Sequence, residues 1–291
     1  GVFDMKLKAG NNERREYTAS ISTLGLDMTA EGPFKKGSRG SYIANYRYSA
    51  LDLLDKAGVV DFGGVPRYQD LSFKIQLPAN DKHNFALFGL GGMSSIDTED
   101  KDDEHDDERI TGKFTGKNKL GVLGLSHTYQ INDDMYIRSS VAGTGSESDF
   151  DYKIPNTLDQ FYTIETGKIS KSSIIASSTF NYKLNSKHKV ETGFILTRLN
   201  YNLKSDEWNF ERGVLENQLS EKDHSSTYQA FASWKYRMTE DLTMISGLHY
   251  IQFALNKNYS VEPRLALKWQ LDDRQSFNAG VGLHSKLEPV S

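Results

Sequence analysis

Side chains along most of this chain alternate between apolar and polar with a period of two. That is the pattern of a β-strand whose two faces meet different media. In Leu71-Ser-Phe-Lys-Ile-Gln-Leu77 every odd position is apolar and every even position polar. Tyr228, Ala230, Ala232, Trp234, Tyr236 and Met238 form one face of another strand, against Thr227, Gln229, Phe231, Ser233, Lys235 and Arg237. Leu265, Leu267, Trp269 and Leu271 repeat the pattern, and a short strand is expected over 2–9. The best helical candidate, Ala50–Ala57, is brief and sits in a loop.

The connections narrow the architecture further. Short polar turns stand at Asn80-Asp-Lys82, Asn132-Asp-Asp134, Asn185-Ser-Lys187, Thr239-Glu-Asp241 and Asp272-Asp-Arg274. Between them, residues 50–70, 94–117, 146–169 and 205–226 are rich in Asp, Glu, Ser, Asn and Gly and read as long loops. A soluble sandwich would carry turn signals every 8–12 residues or so, with no rule placing its long loops at one end. Tight turns at one rim and long loops at the other characterise a barrel inserted in one direction into an outer membrane. About twelve strands follow the first ten residues, one of them spanning 15–31 with a change of apolar phase near Thr23. Phe85, Tyr129, Tyr182, Trp234, Tyr236, Trp269 and Phe277 lie beside the short turns, where an aromatic girdle stabilises a barrel at the lipid–headgroup boundary.

Composition is consistent with this reading. Hydrophobic residues make up 37% of the 291, and no run of about 18 apolar residues offers a transmembrane helix. A barrel strand meets lipid only at alternate residues, so its average hydropathy stays low. A net charge of −4 argues against a nucleic-acid partner, which would require a basic face. Absence of cysteine excludes a disulfide scaffold and thiolate zinc sites.

Several strings resemble the TonB-dependent outer-membrane receptor family. Gly1-Val-Phe-Asp-Met-Lys-Leu-Lys-Ala-Gly-Asn-Asn12 resembles the junction where the plug domain hands over to the barrel. Leu24-Gly-Leu-Asp-Met-Thr-Ala-Glu-Gly-Pro-Phe34 and Ser41-Tyr-Ile-Ala-Asn-Tyr-Arg-Tyr-Ser49 resemble the first barrel strands. Leu120–Tyr129 and Tyr259-Ser-Val-Glu-Pro-Arg-Leu265 look like later ones, and the most similar subgroup carries a carboxypeptidase-regulatory-like domain before its plug. The resemblance implies an all-β chain: residues 1–12 end the plug, and 13–291 form about half of a plugged barrel of about 22 strands. It implies uptake of a scarce nutrient at the cell outer membrane, without enzymatic chemistry or cofactor. The implied partners are outer-membrane lipid, the plug, the TonB complex acting through a more N-terminal region, and a surface lipoprotein. The chain opens on Gly1-Val-Phe3 without a leader and ends without a terminal aromatic, so the resemblance makes it an excerpt.

No motif for bond chemistry emerges. The acidic run Asp97–Glu108 lacks the glycine and spacing of an EF-hand and reads as a solvated loop. Gly112-Lys-Phe-Thr-Gly-Lys117 is one residue short of a phosphate loop, and neither a HExxH pair nor a GxSxG elbow occurs. Arg47, Lys74, Arg138, Lys183, Lys235 and Lys268 fall on polar strand faces, hence toward the lumen. Tyr152, Phe161, Tyr162, Trp208 and Phe210 are loop aromatics suited to stacking on a solute. Two other classes compete: a complete twelve-stranded channel or hydrolase, and a soluble all-β adhesion module with two packed sheets.

Overall fold

A computed structural model describes residues 6–22, 25–49, 51, 64, 66–101 and 110–285. They form one antiparallel sheet of thirteen strands, arranged in chain order. Four shorter strands come first: β1 (Glu16–Ser22), β2 (Gly25–Pro33), β3 (Ser41–Ser49) and β4 (Arg67–Pro78). Six long ones follow: β5 (His83–Lys101), β6 (Ile110–Asn132), β7 (Met135–Pro155), β8 (Phe161–Lys183), β9 (His188–Asn209) and β10 (Val214–Arg237). β11 (Leu242–Phe253), β12 (Tyr259–Gln270) and β13 (Ser276–Gly282) complete the order.

The polar tripeptides seen in the sequence build the turns of one rim. Asn80 Oδ1 accepts the backbone N–H groups of Lys82 and His83, each at 2.9 Å. Asn185 does the same for Lys187 and His188, and Asp272 for Arg274 and Gln275. Thr239 Oγ1 accepts from Leu242 at 3.0 Å, and Asn132 from Asp134 at 3.0 Å. A short side-chain acceptor thus replaces the missing ladder partner while the chain reverses.

Cross-strand register sorts the side chains into two faces. One continuous row runs Leu87, Leu125, Val141, Ala176, Leu196, Tyr228 across six strands. The next row, one residue on, holds Ala86, Ser126, Ser140, Ser177, Ile195 and Gln229. The first row belongs to an exposed apolar belt, in which Leu125 is 51% accessible. Residues 6–11 lie on the opposite face, here termed inner. Lys74 Nζ donates to the Leu7 carbonyl at 2.9 Å, and the Asn11 N–H donates to buried Glu31 at 2.7 Å. Phe85–Met93, apolar on both sides, resolves by this register: Phe85, Leu87, Gly89, Gly91 and Met93 face outward.

Four expectations need correction. The single strand over 15–31 is a hairpin, β1 and β2, with Ser22 opposite Gly25. Gly25 takes φ +154°, and a Cβ there would overlap the Tyr48 carbonyl, so the change of apolar phase marks a reversal rather than a bulge. That makes thirteen strands, not about twelve. The long loops at 94–117, 146–169 and 205–226 are mostly paired strand, leaving connections of only 156–160 and 210–213 in the latter two. Strands of 21–24 residues in β6–β10 reach about 70–80 Å. Only about 9–11 residues are needed to cross hydrocarbon. Lys6–Ala9 are not strand, and the helical candidate and Lys101–Glu108 fall almost wholly outside the described residues, Leu51 and the backbone of Lys101 apart.

Glycines inside the strands receive aromatic rings from their neighbours. A Cβ at Gly124, Gly167 or Gly89 would overlap the ring of Phe88, Phe150 or Phe73 respectively. Each ring lies flat over bare backbone and fills the gap left by the absent side chain.

Among the described residues β1 and β13 do not pair with each other, so no closed twelve-stranded barrel forms, and no second sheet covers the apolar belt. Open edges and an exposed apolar face make the 291-residue chain prone to association in water. Light scattering of the isolated chain without detergent should register large aggregates; a monodisperse monomer would contradict this architecture. In a full-length protein refolded into vesicles, Leu125→Arg should cost about 2–4 kcal/mol at mid-belt. Ser126→Arg, on the inner face, should cost far less, and equal costs would refute the assignment of faces.

Candidate functional site

The inner face is the surface that a solute or a plug would meet, and its chemistry is polar and locally paired. At β2–β4, Asp27, Arg47 and Asp70 stand in one cross-strand row. Arg47 Nε donates to Asp70 at 3.0 Å, while the Asn45 amide bridges Asp27 at 3.0 Å and Thr29 at 2.8 Å. The row continues through Gly92, Leu120 and Ser146 to Lys171. Ser94, Asn118 and Ser148 line the row above it. Asp27, Asn45, Asp70, Asn118 and Lys171 were not singled out from the sequence. Their only signal was to share the polar phase of their strands with Arg47 and Lys74.

All six cations expected in the lumen fall on this face by register. Arg138 stands between Thr128 and Thr179, and Lys268 between Thr243 and Asn278. Lys74 holds the segment at Leu7. Lys183 and Lys235 flank Lys189 in a single row, three ammonium groups on adjacent strands beside the short-turn rim. Among the described residues, Glu191 is the carboxylate within ion-pair distance of them, 3.9 Å from Lys189. Beside them Asn181 is 4% exposed and its Oδ1 has no partner. Like charges directly opposite one another are unfavourable, so this row is suited to an anionic counterpart.

The five aromatics are not gathered into one pocket. Tyr152 donates to Asp100 Oδ2 at 3.0 Å on the inner side of β7. That bond raises the phenol's pKa at this tip, well beyond the apolar belt. Phe161 lies under Lys113 Nζ, 4.6 Å from the ring centre. Tyr162 and Trp208 meet edge to face at 5.0 Å, and Phe210 stands alone, 69% exposed, at the β9–β10 turn. Four of the five thus contact another strand, and Phe210 is the most exposed of them. The described part of the acidic run is likewise paired across strands: Asp97 accepts from Thr115 and Glu99 pairs with Lys113.

On the outer face the girdle aromatics stand as expected, joined by three histidines not singled out before. His83 stacks on Tyr129 at 4.6 Å and Phe85 on His127 at 4.3 Å. His188 stacks on Tyr236 at 4.5 Å and accepts from Trp234 Nε1 at 3.2 Å. Amphipathic rings with satisfied polar edges suit a boundary between hydrocarbon and water.

No family model matches the chain, and no curated protein matches its sequence. Solved structures do, and among them are a copper transporter and several siderophore receptors, alike in fold. The fold is that of a TonB-dependent receptor barrel. The copper transporter OprC aligns with 94% of this chain and 46% of its own, at TM-score 0.63 and 13% identity. FpvA of P. aeruginosa, solved with heterologous pyoverdines, gives TM-score 0.67 at 11% identity, over 94% of this chain and 42% of its own. The siderophore receptor PirA from Acinetobacter baumannii gives 0.57 at 14%, over 94% and 43%. The chain therefore spans less than half the length of these receptor-type barrels.

The lysine row supplies a direct check on this inner wall. In the full-length receptor, Lys189→Glu exchanges two repulsions for two attractions and loses one pair with Glu191. Thermal stability in detergent should rise by up to about 1 kcal/mol, and the gain should shrink at high salt. An unchanged or lower midpoint at low salt would contradict the cross-strand placement of Lys183 and Lys235.

Proposed function

We propose that this chain forms a large part of an outer-membrane receptor barrel that admits a scarce solute under the pull of the TonB complex. The observation that carries the reading is a single sheet with an exposed apolar outer belt and a polar, charge-paired inner wall. Its likeness to one half of several metal and siderophore transport barrels supports the same reading. Residues 1–12 act as the junction of a plug. In support, Leu7, Lys8 and Asn11 are fastened to Lys74 and Glu31 on the inner wall.

In this reading the protein works by binding rather than bond chemistry. The projecting hairpins of β7–β10, with Phe210 and the Tyr162–Trp208 pair at their tips, make the first contact with the solute. The lumen cations Arg47, Lys74, Arg138, Lys183, Lys235 and Lys268 then hold the plug or an anionic solute, with Lys74 already committed to the junction. A surface lipoprotein would dock on the same hairpin tips. The aromatic girdle and the apolar belt seat the barrel in outer-membrane lipid.

Deletion of the full-length gene tests the proposal. A deletion strain should lose growth on at least one of a panel of metal chelates, oligosaccharides and peptides as sole source. Re-expression should restore growth only in cells with intact TonB, and Phe210→Ala combined with Trp208→Ala should weaken capture by about tenfold. Restored growth in cells lacking TonB would rule out energised uptake and favour a passive channel.

A further inference from the structure

Residues 7–11 cross the inner wall from strand to strand and are fastened at each. Leu7 lies at β4, where its carbonyl accepts from Lys74 Nζ at 2.9 Å. Gly10 lies at β3, and a Cβ there would overlap the Tyr42 carbonyl, so bare backbone lets the segment meet the wall directly. Asn11 lies at β2, where its N–H donates to Glu31 at 2.7 Å. Lys8 Nζ reaches the same carboxylate at 3.3 Å, and Glu31 is buried. The attachment points sit close to the short-turn rim, Glu31 two residues from the end of β2 and Lys74 four from the end of β4. The chain then turns on Asn11 Oδ1, which accepts from the Glu13 and Arg14 N–H groups, and enters β1 at Glu16. β1 itself is held to β2 over seven residues, and its other edge has no partner among the described residues.

We propose that this strap is a mechanical stop, which keeps tension on the segment before Leu7 from reaching β1. The inference rests on the proposed function, in which the chain ahead of the strap is a plug under the pull of TonB. Three arguments carry it. Without the strap β1 is next in line, and a short edge ladder loaded from one end gives way pair by pair, opening the wall. The fastenings at Lys74, Tyr42 and Glu31 lie on β4, β3 and β2, each of which is paired on both sides, so none of them depends on β1. The hydrogen bonds are charge-assisted, an ammonium on a carbonyl and a backbone N–H on a carboxylate, and such bonds are stronger than neutral ones. Tension arriving through Lys6 must break the Lys74 bond first and the Glu31 bonds next, before any of it loads Glu16. What moves in uptake is therefore the plug ahead of Leu7, with its end fixed to the wall.

In the test, the full-length receptor is folded in a lipid bilayer and pulled by its N-terminus from the periplasmic side in single-molecule force spectroscopy. The tether length just before the barrel yields reports the last fixed residue, which in the wild type should be Leu7. Lys74→Met should shift the stop to Asn11, lengthening the tether by four residues, or about 14 Å. Lys74→Met/Glu31→Ala should shift it to Glu16, nine residues beyond Leu7, or about 30 Å. Lys74→Arg should keep the wild-type length. Lys74→Met removes an ammonium group from a wall that meets water, so it tests the stop even where the double variant does not fold. Equal tether lengths in the wild type and Lys74→Met would overturn the stop and leave the uptake reading intact. Growth restored without TonB would overturn that reading alone, because here the force is applied directly.

Discussion

A backbone that crosses hydrocarbon has no water to satisfy its N–H and C=O groups, and this single constraint shapes the whole molecule. The chain meets it with an unbroken antiparallel ladder in which every strand pairs with its neighbours in sequence. Side chains are then free to differ between faces, and they do so along most of the belt, with Phe88 and Leu90 of β5 apolar on the inner side as well. Outward hydroxyls obey the same rule: Ser139 and Ser178, on the apolar side, hydrogen-bond to each other at 2.9 Å. The two edges of the sheet, at β1 and β13, are where the ladder remains unfinished.

Packing within a single sheet has no core to draw on, so it is achieved between neighbours in register. Phe88 over Gly124 and Phe150 over Gly167 on the inner face, and Phe73 over Gly89 on the outer, pair a large ring with bare backbone. These pairs keep adjacent strands in close contact where a second side chain would force them apart. At the short-turn rim the same logic produces a stacked group of four, His83–Tyr129 beside His127–Phe85, and a trio, His188–Trp234–Tyr236. Within them His83 pairs with His127 at 3.0 Å and Trp234 with His188 at 3.2 Å.

Charge is arranged differently on the two walls. On the inner wall some cations meet a carboxylate on the next strand, as Arg47 does at Asp70, while Lys183, Lys189 and Lys235 stand in one row of like charge. On the outer wall, beyond the belt, lysines and carboxylates are interleaved, and Lys119 and Lys168 share Glu147. The hairpins beyond the belt are wet on both faces and are held by cross-strand pairs such as Glu99–Lys113 and Tyr152–Asp100.

Local sequence alone determined the all-β class, the turns at Asn80, Asn132, Asn185, Thr239 and Asp272, and the polar strand phase shared by Arg47, Lys74, Arg138, Lys183, Lys235 and Lys268. Each depends on residues close in sequence, where a period of two or an acceptor two residues back is directly visible. The hairpin of β1 and β2 was misread because no polar cluster in the sequence marks the reversal between Ser22 and Gly25. The long reach of β5–β10 was hidden for another reason: once both faces meet water, the hydropathy contrast that reveals a strand disappears. Only tertiary pairing could bring Lys119 and Lys168 onto Glu147, or separate Tyr152 from Phe161, because register across strands decides which distant residues become neighbours.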